Sequence, residues 1–341
     1  FAIAFALLLL APAVSQLVGL DFTDPNAENR TLAAPPQRPH TFKEMLRLPA
    51  ETNAWLSDWF GLRQPMVRTN NWLRFTLFHE VTSPNLLIAK HGRIFMTSNP
   101  GGRPFSLVDD VCGIGRGNDY FLGTAFGVAA LVERASRDFP DFTFLIIPGA
   151  TMLYPEDLPR WAWAPCRQLR PSVDRMLDNL AKRPDILAHI VYPIDILRNL
   201  KLRYPVIPKL SLHWAGEGPL RYVEFLCEQR FALKRTLSLP TRVEDAWSDL
   251  NRVNPGLGLI NHIAVPDLDM AGVSHCFGAE CPPLDPDTKV TALLDRYRTP
   301  VPNGKRLLIL GDSFADNVAG DFTEYFGEVW HIHFNGLEAM T

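Results

Sequence analysis

Ser313 is the residue of this chain best set for covalent chemistry. It stands in Leu307-Leu308-Ile309-Leu310-Gly311-Asp312-Ser313-Phe314-Ala315-Asp316. Four apolar residues predict a short buried strand, Gly311 and Asp312 break it, and a helical pattern begins near Ala315. A serine at a strand-to-helix turn presents its hydroxyl at the carboxyl end of a sheet, where open α/β folds place their sites. The helix start aims backbone N–H groups and a positive dipole end at the same spot. That suits an attacking serine whose substrate oxygen turns negative in the transition state, with the Ser313 N–H as one donor. Asp312 and Ser313 are also good helix caps, and the turn alone is explained by capping.

A serine nucleophile needs a base to take its proton. The chain has nine histidines. His213 stands out, in Ser211-Leu212-His213-Trp214-Ala215-Gly216-Glu217-Gly218 just before a helical pattern, because catalytic groups gather on irregular segments at element ends. His331 and His333 share one face of the last strand-like run and read as partly buried side chains. His40, His79, His91, His189 and His262 have no distinctive setting.

Alternating elements must position these two residues. Helical patterns run over 121–137, 173–181 and 216–230, and after Ser313 through Ala315, Val318, Phe322, Tyr325 and Phe326. Strand-like runs cover 142–148, 189–192, 307–310 and 329–334. Leu86-Leu87-Ile88-Ala89 and Arg93-Ile94-Phe95-Met96 flank Lys90-His91-Gly92 as a hairpin. Two helices broken at Gly61 carry Trp55, Trp59, Trp72, Phe75 and Phe78 toward a core. A Pro- and Gly-bearing stretch from 239 to 303 reads as long loops. The alternation predicts a mainly parallel sheet covered by helices on both faces.

The chain has 341 residues, 47% hydrophobic and 21% charged, which permits a sizeable core and argues against global disorder. A net charge of −3 with no long basic run argues against a nucleic-acid partner. Residues 1–20 carry no charge and are long enough, at about 1.5 Å per residue, for a roughly 30 Å bilayer core. They predict a membrane anchor, with a cleavable signal peptide cut near Ala13-Val14-Ser15 as the rival. Either places the rest outside the cytoplasm. The polar, Pro-rich 21–40 segment predicts a linker. Five cysteines fit an oxidising compartment. Cys276 and Cys281 are close enough to close a small disulfide loop, whereas Cys112, Cys166 and Cys227 show no evident partner. No cofactor motif is present, and no metal site is expected, since one close Cys pair beside His275 lacks a second pair at zinc spacing.

Several segments, taken in order, resemble the SGNH-hydrolase-like acetyltransferases, the family that includes the periplasmic alginate O-acetylation proteins. They are Glu28-Asn29-Arg30, Phe60-Gly61-Leu62-Arg63 before Asn70-Asn71, Lys90-His91-Gly92-Arg93-Ile94-Phe95, Tyr154-Pro155-Glu156-Asp157-Leu158-Pro159, His213-Trp214, and Gly311-Asp312-Ser313-Phe314. The resemblance implies a three-layer α/β/α, flavodoxin-like domain over 41–341. It implies O-acetylation of an exported polysaccharide through an acyl-serine, with Ser313 as nucleophile and His213 as base and then acid. It further implies a membrane-bound acyltransferase as donor partner, no cofactor, and a periplasmic chain anchored in the inner membrane by residues 1–20. The family continues past the last strand with a helix and another strand, whereas this chain ends at Thr341 soon after Asn335-Gly336, so a C-terminal truncation is expected, with a divergent shorter member as the alternative.

Two positions depart from the family. Its Asp two residues before the His is Ser211 here, and its Pro-x-Lys is Pro148-Gly149-Ala150. The carboxylate matters because it orients the imidazole and stabilises the imidazolium; in serine proteases its loss lowers turnover about 10⁴-fold. Three readings follow: a Ser–His dyad with Ser211 as orienter, a substitute carboxylate at Glu217 or Asp195, or a non-catalytic glycan-binding scaffold. An acetylesterase is the other alternative, since water can also take the acyl group.

Overall fold

In this computed structural model the described residues are 10, 11, 14, 15, 18, 32–59, 62–99, 102–281, 294–301 and 304–334. Most of the expected anchor, Glu28-Asn29-Arg30, the break at Phe60-Gly61, and Asn335-Gly336 lie outside them. No helix among the described residues is long and apolar enough to cross a membrane. The chain forms two compact units. One draws on Phe1–Ile88, Met96–Ser106 and Trp247–Leu259; the other on Ala89–Phe95, Leu107–Ala246 and Ile260–Thr341.

The first unit is built on α1 (Phe42–Trp59) and α2 (Arg63–Phe78), followed by β1 (Leu86–Ile88). Thr41 and Glu44 start α1 as a reciprocal cap. The Thr41 hydroxyl accepts the Glu44 N–H at 3.2 Å, and the Glu44 carboxylate accepts the N–H groups of His40 and Thr41 at 2.7 and 3.2 Å. At the end of α2, His79 takes a left-handed conformation and returns its N–H to the last turn. The inward face of α2 is set by polar ties. Asn71 donates to the Pro255 carbonyl at 2.7 Å and accepts the Thr82 hydroxyl at 2.7 Å. That rotation leaves Trp72, Leu77 and Phe78 exposed, against the expectation that the aromatics face a core. Gly256 lies so close to the Arg68 backbone that a Cβ would sit 2.4 Å from its carbonyl oxygen.

The second unit opens at Lys90–Gly92, a single helical turn closed by the Arg93 N–H on the Lys90 carbonyl and bracketed by the Ala89 N–H on the Arg93 carbonyl, and continues into β2 (Ile94–Met96). α3 (Asn118–Asp138) buries Phe121, Ala125, Ala129 and Val132 on one face. The last three pack with Met176 of α4 (Ser172–Asn179), Leu180 and Ile186. Beside them β3 (Phe144–Leu145) pairs in parallel with β4 (Ile190–Val191). α5 (Glu217–Phe225) runs into a π-helical turn at Leu226–Arg230. β5 (Thr241–Trp247) pairs with β6 (Ile260–Pro266).

The remaining strands, β7 (Ser274–Phe277), β8 (Leu294–Arg298), β9 (Arg306–Gly311) and β10 (Glu328–His333), form one sheet in the order β7-β8-β10-β9. β10 runs parallel to β9 but antiparallel to β8, and β7 is antiparallel to β8. This overturns the expectation of a mainly parallel sheet: the molecule is mixed α/β with small sheets. Four strands, β5 to β8, lie in the stretch read as loops. Their charged and polar residues mask a period-2 pattern. β9 is not buried on both faces either. It is the end strand, and Leu308 and Leu310 are 53% and 58% exposed. After it, α6 covers only Ser313–Asp316, and Ala319–Glu324 is a 3₁₀ helix. Every residue of that helix is buried, so the segment has no solvent face of the kind the expected longer α-helix would show.

Two disulfides join described residues, Cys112 to Cys166 and Cys276 to Cys281. The first spans 54 positions, too far for spacing to reveal. The second takes up both thiols beside His275. Cys227 is a buried free thiol.

Candidate active site

β9 delivers Ser313 to the site. Gly311 ends the strand because α6 crosses directly over it: a Cβ there would lie 2.4 Å from the Ala315 Cβ. Asp312 is extended and caps α6 by accepting the Phe314 N–H at 3.0 Å. Asn317 closes the turn by donating to the Ser313 carbonyl at 2.7 Å. The Asp312 cap is therefore real. It fixes the turn, in which Ser313 is half-buried.

His213 arrives on an irregular segment, 205–216, pinned from three sides. Asn261 grips it at one end, accepting the Leu210 N–H at 3.2 Å and donating to the Leu210 carbonyl at 3.3 Å and the Ser211 hydroxyl at 2.9 Å. The Tyr154 hydroxyl accepts the N–H groups of Val206 and Ile207 at 3.2 and 3.3 Å. Arg93, buried and paired with Asp157 at 2.9 Å, donates to the carbonyls of Ile207 and Pro208 at 2.9 and 3.3 Å. Trp214, fully buried, then ties the segment to the Ser313 turn through its indole N–H on the Phe314 carbonyl at 2.6 Å. The His213 ring meets Phe314 edge-on, with centroids 4.8 Å apart.

The outcome is that His213 Nε2 lies 2.7 Å from Ser313 Oγ across 100 positions of sequence. With Nε2 unprotonated the hydroxyl donates to it, which is the geometry of a serine and its general base.

The expected orienters fall in different places. Ser211 is buried and holds the Asn261 amide. Glu217 forms a salt bridge with Arg221 at 2.7 Å. Asp195 is 88% exposed, 3.7 Å from Arg198. Asn70, from one of the segments that carry the resemblance, is exposed on α2.

Sequence reasoning missed a charged group behind the turn. Asp316, the last residue of α6, places Oδ1 3.1 Å from Nδ1 of His331, which is fully buried. The same Nδ1 is 3.3 Å from Asp295 Oδ2, and Asp295 Oδ1 is 2.9 Å from Nε2 of His275. Burial pushes the Asp316 carboxyl up, with His331, His333 and His213 drawing it back. Burial also pushes Asp295 up, but hydrogen bonds from His331 and His275 outweigh it and hold that carboxyl below its usual value. Asp295, Asp316 and His331 bring their polar atoms within 4.8 Å of one another, close enough for an ion; these contacts are already used among the three side chains. A signal for Asp316 was available, since helical spacing puts position i+3 on the face of Ser313.

A cavity of about 760 Å³ lies beside the segment that carries His213. His91, Lys201, Arg203, Lys209, Tyr204 and His262 line it, with Asp157 as its acid. Neither His213 nor Ser313 lines it, but Leu210 and Asn261 do, so one asparagine is shared between the cavity wall and the grip on Ser211.

No known protein family and no curated protein matches the chain. Among solved structures it is similar to the O-acetyltransferase domain of Pseudomonas putida AlgJ, at 10% identity and a TM-score of 0.41, over 75% of this chain and 84% of that one. It is similar to Pseudomonas aeruginosa AlgX at 13% identity and a TM-score of 0.40, over 73% of this chain and 53% of that one. A Bacillus cereus PatB1 structure with a sulfonyl adduct matches at 11% identity and a TM-score of 0.40, over 63% of this chain and 80% of that one.

Proposed function

We propose that this chain is a serine-dependent O-acetyltransferase acting on an exported polysaccharide through an acyl-serine. The single observation that carries the reading is the 2.7 Å approach of His213 Nε2 to Ser313 Oγ. The order of sequence segments shared with the acetyltransferase family supports it. So does the way two of them act: Arg93 and Tyr154, from those segments, hold the backbone that leads to His213.

In the first step Ser313 Oγ attacks the acetyl carbonyl carbon of an ester donor, and His213 takes the hydroxyl proton. The bond to the leaving oxygen breaks, and His213 returns the proton to it. In the second step a sugar hydroxyl attacks the acetyl-serine, His213 takes its proton, and the proton returns to Ser313 Oγ. The Ser313 N–H at the start of α6 serves as one oxyanion donor. In this reading the chain works outside the cytoplasm, held by residues 1–20, and a membrane-bound acyltransferase supplies the donor. The cationic and aromatic cavity next to Asn261 takes part of the acceptor. The two disulfides fit that compartment.

The test is incubation with a chromogenic acetyl ester followed by peptide mass spectrometry. Acetylation at Ser313 is expected, absent in Ser313→Ala and slowed at least about 10³-fold in His213→Gln. A folded protein that never acquires acetyl on Ser313 overturns the reading and leaves the glycan-binding scaffold. Adding an oligosaccharide then separates transfer from hydrolysis: acetylated sugar in excess of free acetate is expected, and acetate alone marks an esterase.

A further inference from the structure

Three side chains from three elements of the second unit converge behind the turn that carries Ser313. Asp295 comes from β8, His331 from the neighbouring strand β10, and Asp316 from the end of α6. One polar atom of each falls within 4.8 Å of the other two. His331 Nδ1 is at their centre, 3.1 Å from Asp316 Oδ1 and 3.3 Å from Asp295 Oδ2. An imidazole nitrogen carries at most one proton, so the two carboxylates share a single hydrogen at best. Both distances exceed the roughly 2.7–2.9 Å of a charge-assisted N–H···O bond. They match the edges of a coordination shell, since ligands about 2.1 Å from one ion stand roughly 3.0–3.4 Å apart. His331 has no exposed surface, and its other nitrogen, Nε2, is buried with no hydrogen-bond partner among the described residues. All the polar contacts of this ring are therefore made on the side of the two carboxylates. Burying a ring there, against two like charges, is costly unless a cation joins them.

We propose that Asp295 Oδ2, His331 Nδ1 and Asp316 Oδ1 form a binding site for a zinc-type divalent cation, which ties α6 to the sheet. The surroundings support the three ligands. His275 Nε2 lies 2.9 Å from the opposite oxygen, Asp295 Oδ1, which leaves Oδ2 toward His331. That is the outer-shell hold that metal-binding carboxylates use. The His275 ring is itself fixed by stacking on Tyr297, with centroids 4.4 Å apart. Asp316 is 43% exposed, so it provides the way in and leaves room for water to complete the shell. The donor set is one imidazole nitrogen and two carboxylate oxygens. Imidazole favours zinc over magnesium and calcium, which take shells of oxygen alone. No cysteine takes part, so this is not the Cys-based site that spacing was searched for. Zinc binding here stands whether or not Ser313 is acylated.

The test uses the full chain, stripped with EDTA, dialysed free of it and titrated with zinc chloride by calorimetry. One ion per chain is expected, held at least about 100-fold tighter than magnesium. Asp316→Asn, at a partly exposed position, is expected to weaken zinc at least about 100-fold, and His275→Gln about 10-fold. Asp316→Ala gives the same readout should the amide variant fail to fold. His262→Gln, which removes an exposed imidazole elsewhere, is expected to change nothing. X-ray absorption at the zinc edge is expected to show nitrogen and oxygen neighbours at about 2.0–2.2 Å and no sulfur. Zinc is also expected to raise the melting temperature of the wild type and not that of Asp316→Asn. A folded wild type that takes up no zinc overturns the proposal, as does an affinity that Asp316→Asn leaves unchanged or a sulfur shell around the ion. None of these readouts needs turnover, so such a failure is distinct from an unacylated Ser313, which would overturn the acetyltransferase reading instead.

Discussion

At the scale of single residues, the site depends on what is missing from Gly311 as much as on what Ser313 carries. The hydrogen at Gly311 lets α6 lie against the end of β9, with His331 Nε2 3.8 Å from where a Cβ would be. Gly311→Ala puts a methyl into the Ala315 Cβ, which no rotamer change relieves, so α6 must lift. A loss of about 1–3 kcal/mol is expected in chemical denaturation, the usual range for overpacking. The displaced turn should also cut the rate of Ser313 acylation by more than the stability loss explains. Unchanged stability and rate would show that α6 does not depend on this close approach.

At the scale of elements, the Ser313 turn and the His213 segment are legible in the sequence because each has a local signature. An apolar run stopped by Gly-Asp before Ser313 is one; a His-Trp pair before a Gly-rich helix start is the other. What the sequence concealed was long-range. β5 to β8 lay in a stretch whose prolines and glycines suggest loops, and Asn261, which grips Leu210 and Ser211, sits inside it with no pattern of its own. The antiparallel pairing of β7, β8 and β10 is a property of the chain's path and leaves no periodicity. The helix after Ser313 was overread because residues three apart suit an α-helix and a 3₁₀ helix alike. The same limit hid the Cys112–Cys166 bond, which ties the end of the helix Ser106–Cys112 to the turn at Ala164–Gln168. By the chain-entropy estimate, closing a loop of that size is worth about 4 kcal/mol. The double variant Cys112→Ser, Cys166→Ser should therefore unfold at clearly lower denaturant, while Cys276→Ser with Cys281→Ser, opening a loop of 5 positions, should shift the midpoint about half as much. Equal effects would count against a role for loop length.

At the scale of the whole molecule, the buried carboxyl groups set how stability varies with pH. Burial among Glu324 and Glu224 pushes the fully buried Asp321 well up, and burial also raises Glu324 and Asp174. A carboxyl raised on folding binds its proton more tightly in the folded chain, so it favours folding at low pH and loses that advantage as pH rises through the raised value. Asp295 and Glu328 are lowered, by hydrogen bonds and arginine charges that overcome their burial. Their contribution is present above the unfolded carboxyl value of about 4 and disappears as pH falls through the lowered ones. The melting temperature should therefore peak on the acid side of neutrality, at about pH 5, and decline by about pH 8. Asp321→Asn, which keeps the shape of the protonated acid, should flatten the decline that begins as pH rises past the unfolded carboxyl value of about 4, and gain little below it. Thermal melts across this range check both points; a decline that Asp321→Asn leaves intact would assign it to other groups.

Cys227 adds a consequence of its own. Its sulfur is sealed in the second unit, with no surface exposed, and burial pushes the thiol up to about 12. A thiolate is the reactive form, so an intact molecule is silent toward alkylating reagents. The rate at which such a reagent consumes this one sulfur then counts how often the interior opens, giving the protein a native clock that needs no engineered probe.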